Sequence, residues 1–144
     1  MRYLITILAL AGVWVSVLTL HLHYSTETHP CSINEKWDCD IVNHSPYSEI
    51  NGVPVSTIGI AGYLALALLA LLGQRAMVFF SSLIGLGFAL YLAHIEKDIL
   101  MVWCQYCVMS LGIIALITLL SLLWLSFWGI RSQFEERRVE IWGG

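Results

Sequence analysis

Residues 99–128 read ILMVWCQYCVMSLGIIALITLLSLLWLSFW, a predominantly apolar run with a Cys-Gln-Tyr-Cys motif near its beginning. At 1.5 Å per residue, a helix of this length measures about 45 Å. The hydrocarbon core of a bilayer is only about 30 Å thick. The run therefore predicts a membrane-spanning helix of which one end projects, tilts or begins as irregular chain, with two cysteines near one membrane surface.

Three further stretches of the chain reach the length of about 20 apolar residues that a membrane-spanning helix requires. The 144-residue chain is 58% hydrophobic and 12% charged, whereas soluble domains carry about 25% charged residues. We therefore predict a single all-α membrane domain over residues 1–144. Its four transmembrane helices cover about 3–22, 55–73, 76–95 and 99–128, with an outer loop at 23–54 and a cytoplasmic tail at 129–144. The first stretch is longer than a signal-peptide core and lacks an A-x-A-type site, which favours an uncleaved helix.

The basic residues predict the orientation of this bundle. Five of the seven lie at the termini or between the second and third helices, namely Arg2, Arg75, Arg131, Arg137 and Arg138. Lys36 and Lys97 lie on the opposite side. Since cytoplasmic loops carry the excess of basic residues, both termini are predicted to be cytoplasmic. All four cysteines then lie on the outer side, in a compartment where disulfides form and persist.

The outer loop is too short to fold around a core of its own. Within it, residues 43–50 predict a short helix, with Ser45 as N-cap and Pro46 at the first helical position. Asn51-Gly52 is typical of a turn and would direct the chain back to the membrane.

Cys104 and Cys107 have the spacing of a redox dithiol. Residues three apart share one face of a helix, and a helix N-terminus favours thiolate. The alternative, two small apolar residues in a membrane helix, explains one cysteine more easily than a spaced pair. Without a haem or flavin motif, the simplest electron acceptor is a quinone between the helices beside Cys107.

Cys31 and Cys39 admit two interpretations. A disulfide between them would staple the loop, whereas a loop that reaches the C-x-x-C would permit successive thiol–disulfide exchanges. A zinc site built from the cysteines with His29, His44 or His94 is disfavoured, because the C-x₇-C spacing does not match a zinc knuckle. We therefore predict no metal.

Taken together, these motifs resemble bacterial homologues of vitamin K epoxide reductase. The resemblance covers about residues 3–128 and rests on the order and spacing of five pieces: Cys31, Cys39-Asp40, Ser45-Pro46-Tyr47, Gly52-Val53-Pro54 and Trp103-Cys104-Gln105-Tyr106-Cys107. It implies a membrane thiol:quinone oxidoreductase in the bacterial inner membrane. The implied partners are a quinone of the ubiquinone, menaquinone or vitamin K type and a separate thioredoxin-fold protein of the periplasm, with no nucleic acid.

The resemblance also implies residue roles. Cys107 would face the quinone, Cys104 would exchange with Cys39, and Cys31 would exchange with the external partner. Ser45 would assist near the quinone, although its role as an N-cap remains open.

The predicted quinone contacts are Cys107, Val55, Gly59, Tyr63 and Leu111. Animal members carry an asparagine and a tyrosine where this chain has Val55 and Leu111, so the resemblance supports reduction of quinone better than reduction of an epoxide. Two alternatives stand beside this interpretation. In the disulfide-bond-formation protein B family the C-x-x-C precedes the wide pair, the reverse of this chain. A structural membrane protein with a stapled loop is the other.

Overall fold

The computed structural model describes residues 1–24, 46, 49–101 and 103–143. This part of the chain contains four α-helices, which are α1 (Arg2–Tyr24), α2 (Val55–Leu71), α3 (Arg75–Ile95) and α4 (Gln105–Trp142). α1, α3 and α4 are long and apolar enough to cross a membrane, and α2 is a shorter apolar helix of 17 residues. α1 packs against α2 and α4, and α3 packs against α4. The predicted all-α membrane bundle is confirmed, with four helices of which three meet the length criterion for a membrane span.

A β-hairpin leads into α2. Strand β1 (Glu49–Ile50) pairs antiparallel with β2 (Val53–Pro54). Asn51 and Gly52 connect them with φ values of 53° and 81°, the positive values that a tight two-residue hairpin turn requires. The predicted turn is confirmed, but the short helix predicted over residues 43–50 is wrong at its end, because residues 49–50 form a strand. Residues 43–45, 47 and 48 lie outside the described residues.

The connection between α2 and α3 is a helix C-cap closed by glycine. Gly73 has a φ of 76°, which glycine adopts without a steric penalty. Its N–H donates to the Ala70 carbonyl at 3.1 Å, and the Gln74 N–H donates to the Leu69 carbonyl at 3.0 Å. These two bonds form a Schellman motif, which satisfies carbonyls at the end of α2 and lets α3 return antiparallel.

The tightest packing lies toward the end of the bundle that carries the N-terminus. Small side chains let the helices approach each other there, as expected in lipid. The side chains with no exposed surface in this region include Ile5, Ala9, Ala70, Val78, Ser82, Ile117 and Ser121. The Ser82 and Ser121 hydroxyls also lie 3.4 Å apart and join α3 to α4. Beside them, the Arg75 guanidinium lies over the rings of Trp124 and Trp128.

α4 differs from its predicted bounds at both ends. It begins at Gln105 rather than at residue 99, because residues 96–100 form a π-helical turn and Met101 adopts a left-handed φ of 54°. It also continues as one helix to Trp142, through most of the predicted tail, for 38 residues. At 1.5 Å per residue this is about 57 Å, so the helix projects beyond a bilayer core of about 30 Å.

Candidate active site

The chain reverses direction between α3 and α4 and so brings an acid beside the cysteine motif. Glu96 opens the π-helical turn, and Met101 in its left-handed conformation ends that turn. Cys104 then occupies the N-cap position of α4 in an extended conformation. Its backbone N–H donates a hydrogen bond to Glu96 Oε2 at 3.2 Å. Residues eight apart in sequence thus become direct neighbours.

The two cysteines of the motif lie side by side. Cys104 is fully buried, and Cys107, in the first turn of α4, is half-buried. The two sulfur groups are hydrogen-bonded to each other, and the Cys107 thiol also lies in hydrogen-bonding contact with the Glu96 carboxylate. Two sulfur atoms and one carboxylate therefore form a single cluster at the start of α4.

The neighbours of Cys104 favour its thiolate. The hydrogen bond from the Cys107 thiol lowers the pKa of Cys104 below its usual value, assisted by the backbone N–H groups of Cys107 and Tyr106. Burial and the Glu96 charge oppose this effect without reversing it. Cys104 is thus the sulfur of the pair that is stabilised as the nucleophilic form.

A cavity of about 460 Å³ lies among the four helices next to this cluster. All five residues predicted to contact a quinone line it: Cys107, Val55, Gly59, Tyr63 and Leu111. Most of the remaining wall is apolar and includes Ile58, Ile84 and Phe88. The structure therefore places the predicted contacts of α2 and α4 around one space, with a cysteine sulfur in its wall.

Polar side chains also line the cavity. Two of them, Glu96 and Ser110, were not identified from the sequence. Glu96 lines the cavity with 3% of its surface exposed. Ser110 lies three residues after Cys107, and its hydroxyl is 2.8 Å from the Tyr63 hydroxyl, which also lies 2.9 Å from the Ser110 carbonyl. A signal for Glu96 was present in the sequence, because an ionisable residue at the edge of an apolar segment is a functional candidate. The sequence offered no such signal for Ser110.

Close packing fixes the position of Tyr63. A Cβ added to Gly12 would lie 2.5 Å from the Tyr63 ring, so the ring rests directly on the backbone of α1. Its hydroxyl is held by Ser110 on α4. Tyr63 therefore connects three helices. Nearby, a Cβ added to Gly59 would lie 2.9 Å from Ser16 Oγ, so α1 and α2 also meet closely along the cavity wall.

Three of the predicted catalytic residues, Cys31, Cys39 and Ser45, lie outside the described residues. His94, considered above as a zinc ligand, instead pairs with Asp98 at 2.7 Å, and both side chains are exposed. Within residues 1–24, 46, 49–101 and 103–143, no group of three or more histidine, cysteine or acidic side chains could hold a metal ion.

The chain was compared with models of known protein families. A family model described as the vitamin K epoxide reductase family matches residues 3–122 of the 144-residue chain. The matched region includes the β-hairpin, the whole of α2 and α3, and the cysteine motif at the start of α4.

Proposed function

Because the chain belongs to the vitamin K epoxide reductase family, a family of membrane thiol–disulfide oxidoreductases that use quinone, we propose that it oxidises a dithiol protein and reduces a membrane quinone. The dithiol substrate is a separate thioredoxin-fold protein on the outer side of the membrane. The product of the reaction on that side is a disulfide, so the enzyme supports disulfide bond formation. It works in the bacterial inner membrane with both termini in the cytoplasm.

The observation that carries this proposal is the position of Cys107, whose side chain is part of the wall of the 460 Å³ cavity. The cavity size lies within the range of about 300–1,000 Å³ that is typical of small-molecule sites. Its apolar walls suit a quinone ring, and Glu96, Tyr63 and Ser110 offer polar groups for the ring oxygens. The residues present therefore fit a quinone as the substrate.

The electron path runs through the second cysteine of the motif. Cys104 adjoins Cys107 and has the lowered pKa, and the thiolate is the form that exchanges with disulfides. We assign Cys104 to the exchange with Cys39, and Cys31 to the exchange with the partner protein. Each turnover moves two electrons from two thiols to the quinone, and the two thiol protons balance the quinol that forms.

The two alternatives are less well supported. The family match covers the order of motifs that distinguishes this chain from the disulfide-bond-formation protein B family. A purely structural membrane protein with a stapled loop would not require a cysteine in the wall of a ligand-sized cavity. Val55 and Leu111 line the cavity at the places where animal members carry an asparagine and a tyrosine, which favours reduction of quinone over reduction of an epoxide.

Replacement of Cys107 tests the proposal. In purified protein supplied with a reduced thioredoxin-fold protein and a quinone, we expect Cys107→Ser to lower the rate of quinone reduction by about 1,000-fold or more, because this sulfur acts as one unit with Cys104. Quinone absorbance measures the rate. Met109→Ser is the matched control, since this side chain lies on the same helix, is 46% exposed and does not line the cavity. Full activity in Cys107→Ser would refute the proposal.

A further inference from the structure

Glu96 is the one acidic side chain among the described residues that lies in the cavity wall. It belongs to a turn of three charged residues, Glu96-Lys97-Asp98. Lys97 and Asp98 are exposed, but only 3% of Glu96 is exposed. Burying an ionisable group at the edge of a membrane is costly, and such groups commonly mark proton pathways.

The contacts of Glu96 hold its carboxylate against the reacting sulfur. Oε2 accepts the Cys104 backbone N–H at 3.2 Å, which fixes the carboxylate relative to the start of α4. In this position the carboxylate contacts the Cys107 thiol. The backbone bond orients the acid, and the thiol contact gives it a proton to accept.

Neighbouring acids do not share this environment. Asp98 lies only two residues further along the chain, but it pairs with His94 and its side chain is 50% exposed. Across the cavity, the Tyr63 hydroxyl is bound to Ser110. Among the described residues, the ionisable side chains in contact with Cys107 are Cys104 and Glu96. Glu96 is thus the carboxylic acid that both contacts this thiol and lines the cavity.

We propose that Glu96 is a catalytic proton carrier, which takes the proton of the Cys107 thiol and passes it to a quinone oxygen in the cavity. This inference rests on the proposed function and adds to it a route for the proton. The geometry satisfies the first requirement of general acid–base catalysis, which is hydrogen-bonding reach to the proton that moves.

The complete step balances as follows. The S–H bonds of Cys104 and Cys107 break, and an S–S bond forms between the two sulfur atoms. The dithiol is oxidised by two electrons, and the quinone is reduced to the quinol by the same two electrons. The Cys107 proton passes through the Glu96 carboxylate to one ring oxygen, and the second oxygen takes one proton from solvent, which equals the proton that Cys104 releases to solvent when it becomes the thiolate. Glu96 ends the step as the carboxylate with which it began.

The substitution Glu96→Gln separates the proton role from the structural one. The amide oxygen of glutamine still accepts the Cys104 N–H, but the side chain no longer takes up a proton. We expect the kcat of quinone reduction to fall by about 100-fold, a size typical of lost general acid–base catalysis. We also expect the solvent isotope effect on kcat to rise, because proton transfer becomes rate-limiting. Single-turnover oxidation of the reduced partner protein by pre-oxidised enzyme should be unchanged.

The matched control is Asp98→Asn, which makes the same change from acid to amide two residues away at an exposed position. It should leave kcat and the isotope effect at wild-type values. Glu96→Asp is the second variant, because it keeps a carboxyl group on a shorter side chain. We expect its kcat to lie between those of wild type and Glu96→Gln, which a purely structural cap would not produce.

The outcomes distinguish the two proposals. If wild-type protein reduces quinone and Glu96→Gln retains its kcat and isotope effect, the proton carrier is refuted while the proposed function stands. The carrier is equally refuted if Glu96→Asp is no faster than Glu96→Gln, or if Glu96→Gln slows partner oxidation as much as quinone reduction. Should Glu96→Gln fail to fold, an isotope effect in Glu96→Asp equal to that of wild type would overturn the carrier. If wild-type protein does not reduce quinone at all, the proposed function itself fails.

Discussion

The same four helices form two halves of the bundle, one closely packed and the other surrounding a cavity. The packed half contains Ile5, Ala9, Ala70, Val78 and Ile117, which are buried against one another. The cavity half, near the cysteine motif, surrounds a space of about 460 Å³.

The two halves also differ in the partners of their polar side chains. In the packed half, Ser82 and Ser121 donate to carbonyls of their own helices at 2.8 Å, so their hydroxyls are satisfied within the bundle. In the cavity half, the Glu96 carboxylate contacts a thiol that is itself at the cavity wall. Stability is thus expected to depend on the first half and quinone chemistry on the second.

The largest effect on stability is expected at Ile117, in the packed half. Its side chain has no exposed surface, and truncation of such a residue to alanine costs about 2–4 kcal/mol through lost packing and the cavity that remains. We expect Ile117→Ala to lower the free energy of unfolding by this amount, measured in detergent micelles. The KM for quinone should be unchanged at temperatures where the protein is folded.

The neighbouring residue provides the control for this prediction. Leu116 is 50% exposed on the lipid-facing side of the same helix, so Leu116→Ala removes a similar side chain without opening a void. If both variants lose the same stability, the packed half is not the source of the bundle's stability. If Ile117→Ala changes the KM for quinone, the two halves are coupled more closely than the structure indicates.

A smaller effect is expected at Gly12, where the two halves meet. The position of an added Cβ is 2.5 Å from the Tyr63 ring, and that ring cannot swing aside without breaking its contacts to Ser110 on α4. Overpacking of this kind typically costs about 1–3 kcal/mol. We expect Gly12→Ala to destabilise the protein by about 1–2 kcal/mol and to raise the KM for quinone, because Tyr63 lines the cavity.

Gly87→Ala is the appropriate comparison for Gly12→Ala. It makes the same change within α3, at a position where an added Cβ meets nothing within 4 Å. Alanine is the better helix former by about 1 kcal/mol, so this variant should be neutral or slightly stabilising in thermal unfolding. A destabilisation equal to that of Gly12→Ala would show that contact with Tyr63 is not the cause.

The sequence predicted the helices well because membrane spans depend on long apolar runs, a signal that is local in the chain. Residues 76–95, for example, were predicted as a helix that the structure places at Arg75–Ile95. The start of α4 was wrong by several residues, because Ile99 and Leu100 are apolar and extend the run, although they end the π-helical turn Glu96–Leu100. Hydropathy also does not show that Met101 adopts a left-handed conformation, after which the helix begins only at Gln105.

The site residues were likewise predicted where the sequence carries a local signal and missed where it does not. Cys104 and Cys107 could be identified from their spacing, and the family resemblance supplied Val55 and Leu111. Glu96 was missed because its burial depends on the chain reversal at Met101, which brings it back to Cys104. A contact that depends on a reversal of the backbone leaves no periodic pattern in the sequence. The roles of Cys31, Cys39 and Ser45 stay predictions.

The smallest of these effects concerns the open space itself. Leu111 lines the cavity one turn after Cys107, so Leu111→Trp should fill part of the volume that the quinone ring occupies. We expect the KM for quinone to rise by about fivefold, which corresponds to about 1 kcal/mol of binding free energy. Met109→Trp adds the same ring at an exposed position outside the cavity and should leave the KM unchanged. A larger side chain at Leu111 occupies existing space, so the free energy of unfolding should change less than in Ile117→Ala. An unaltered KM in Leu111→Trp would mean that quinone binds elsewhere and that the cavity is not the quinone site.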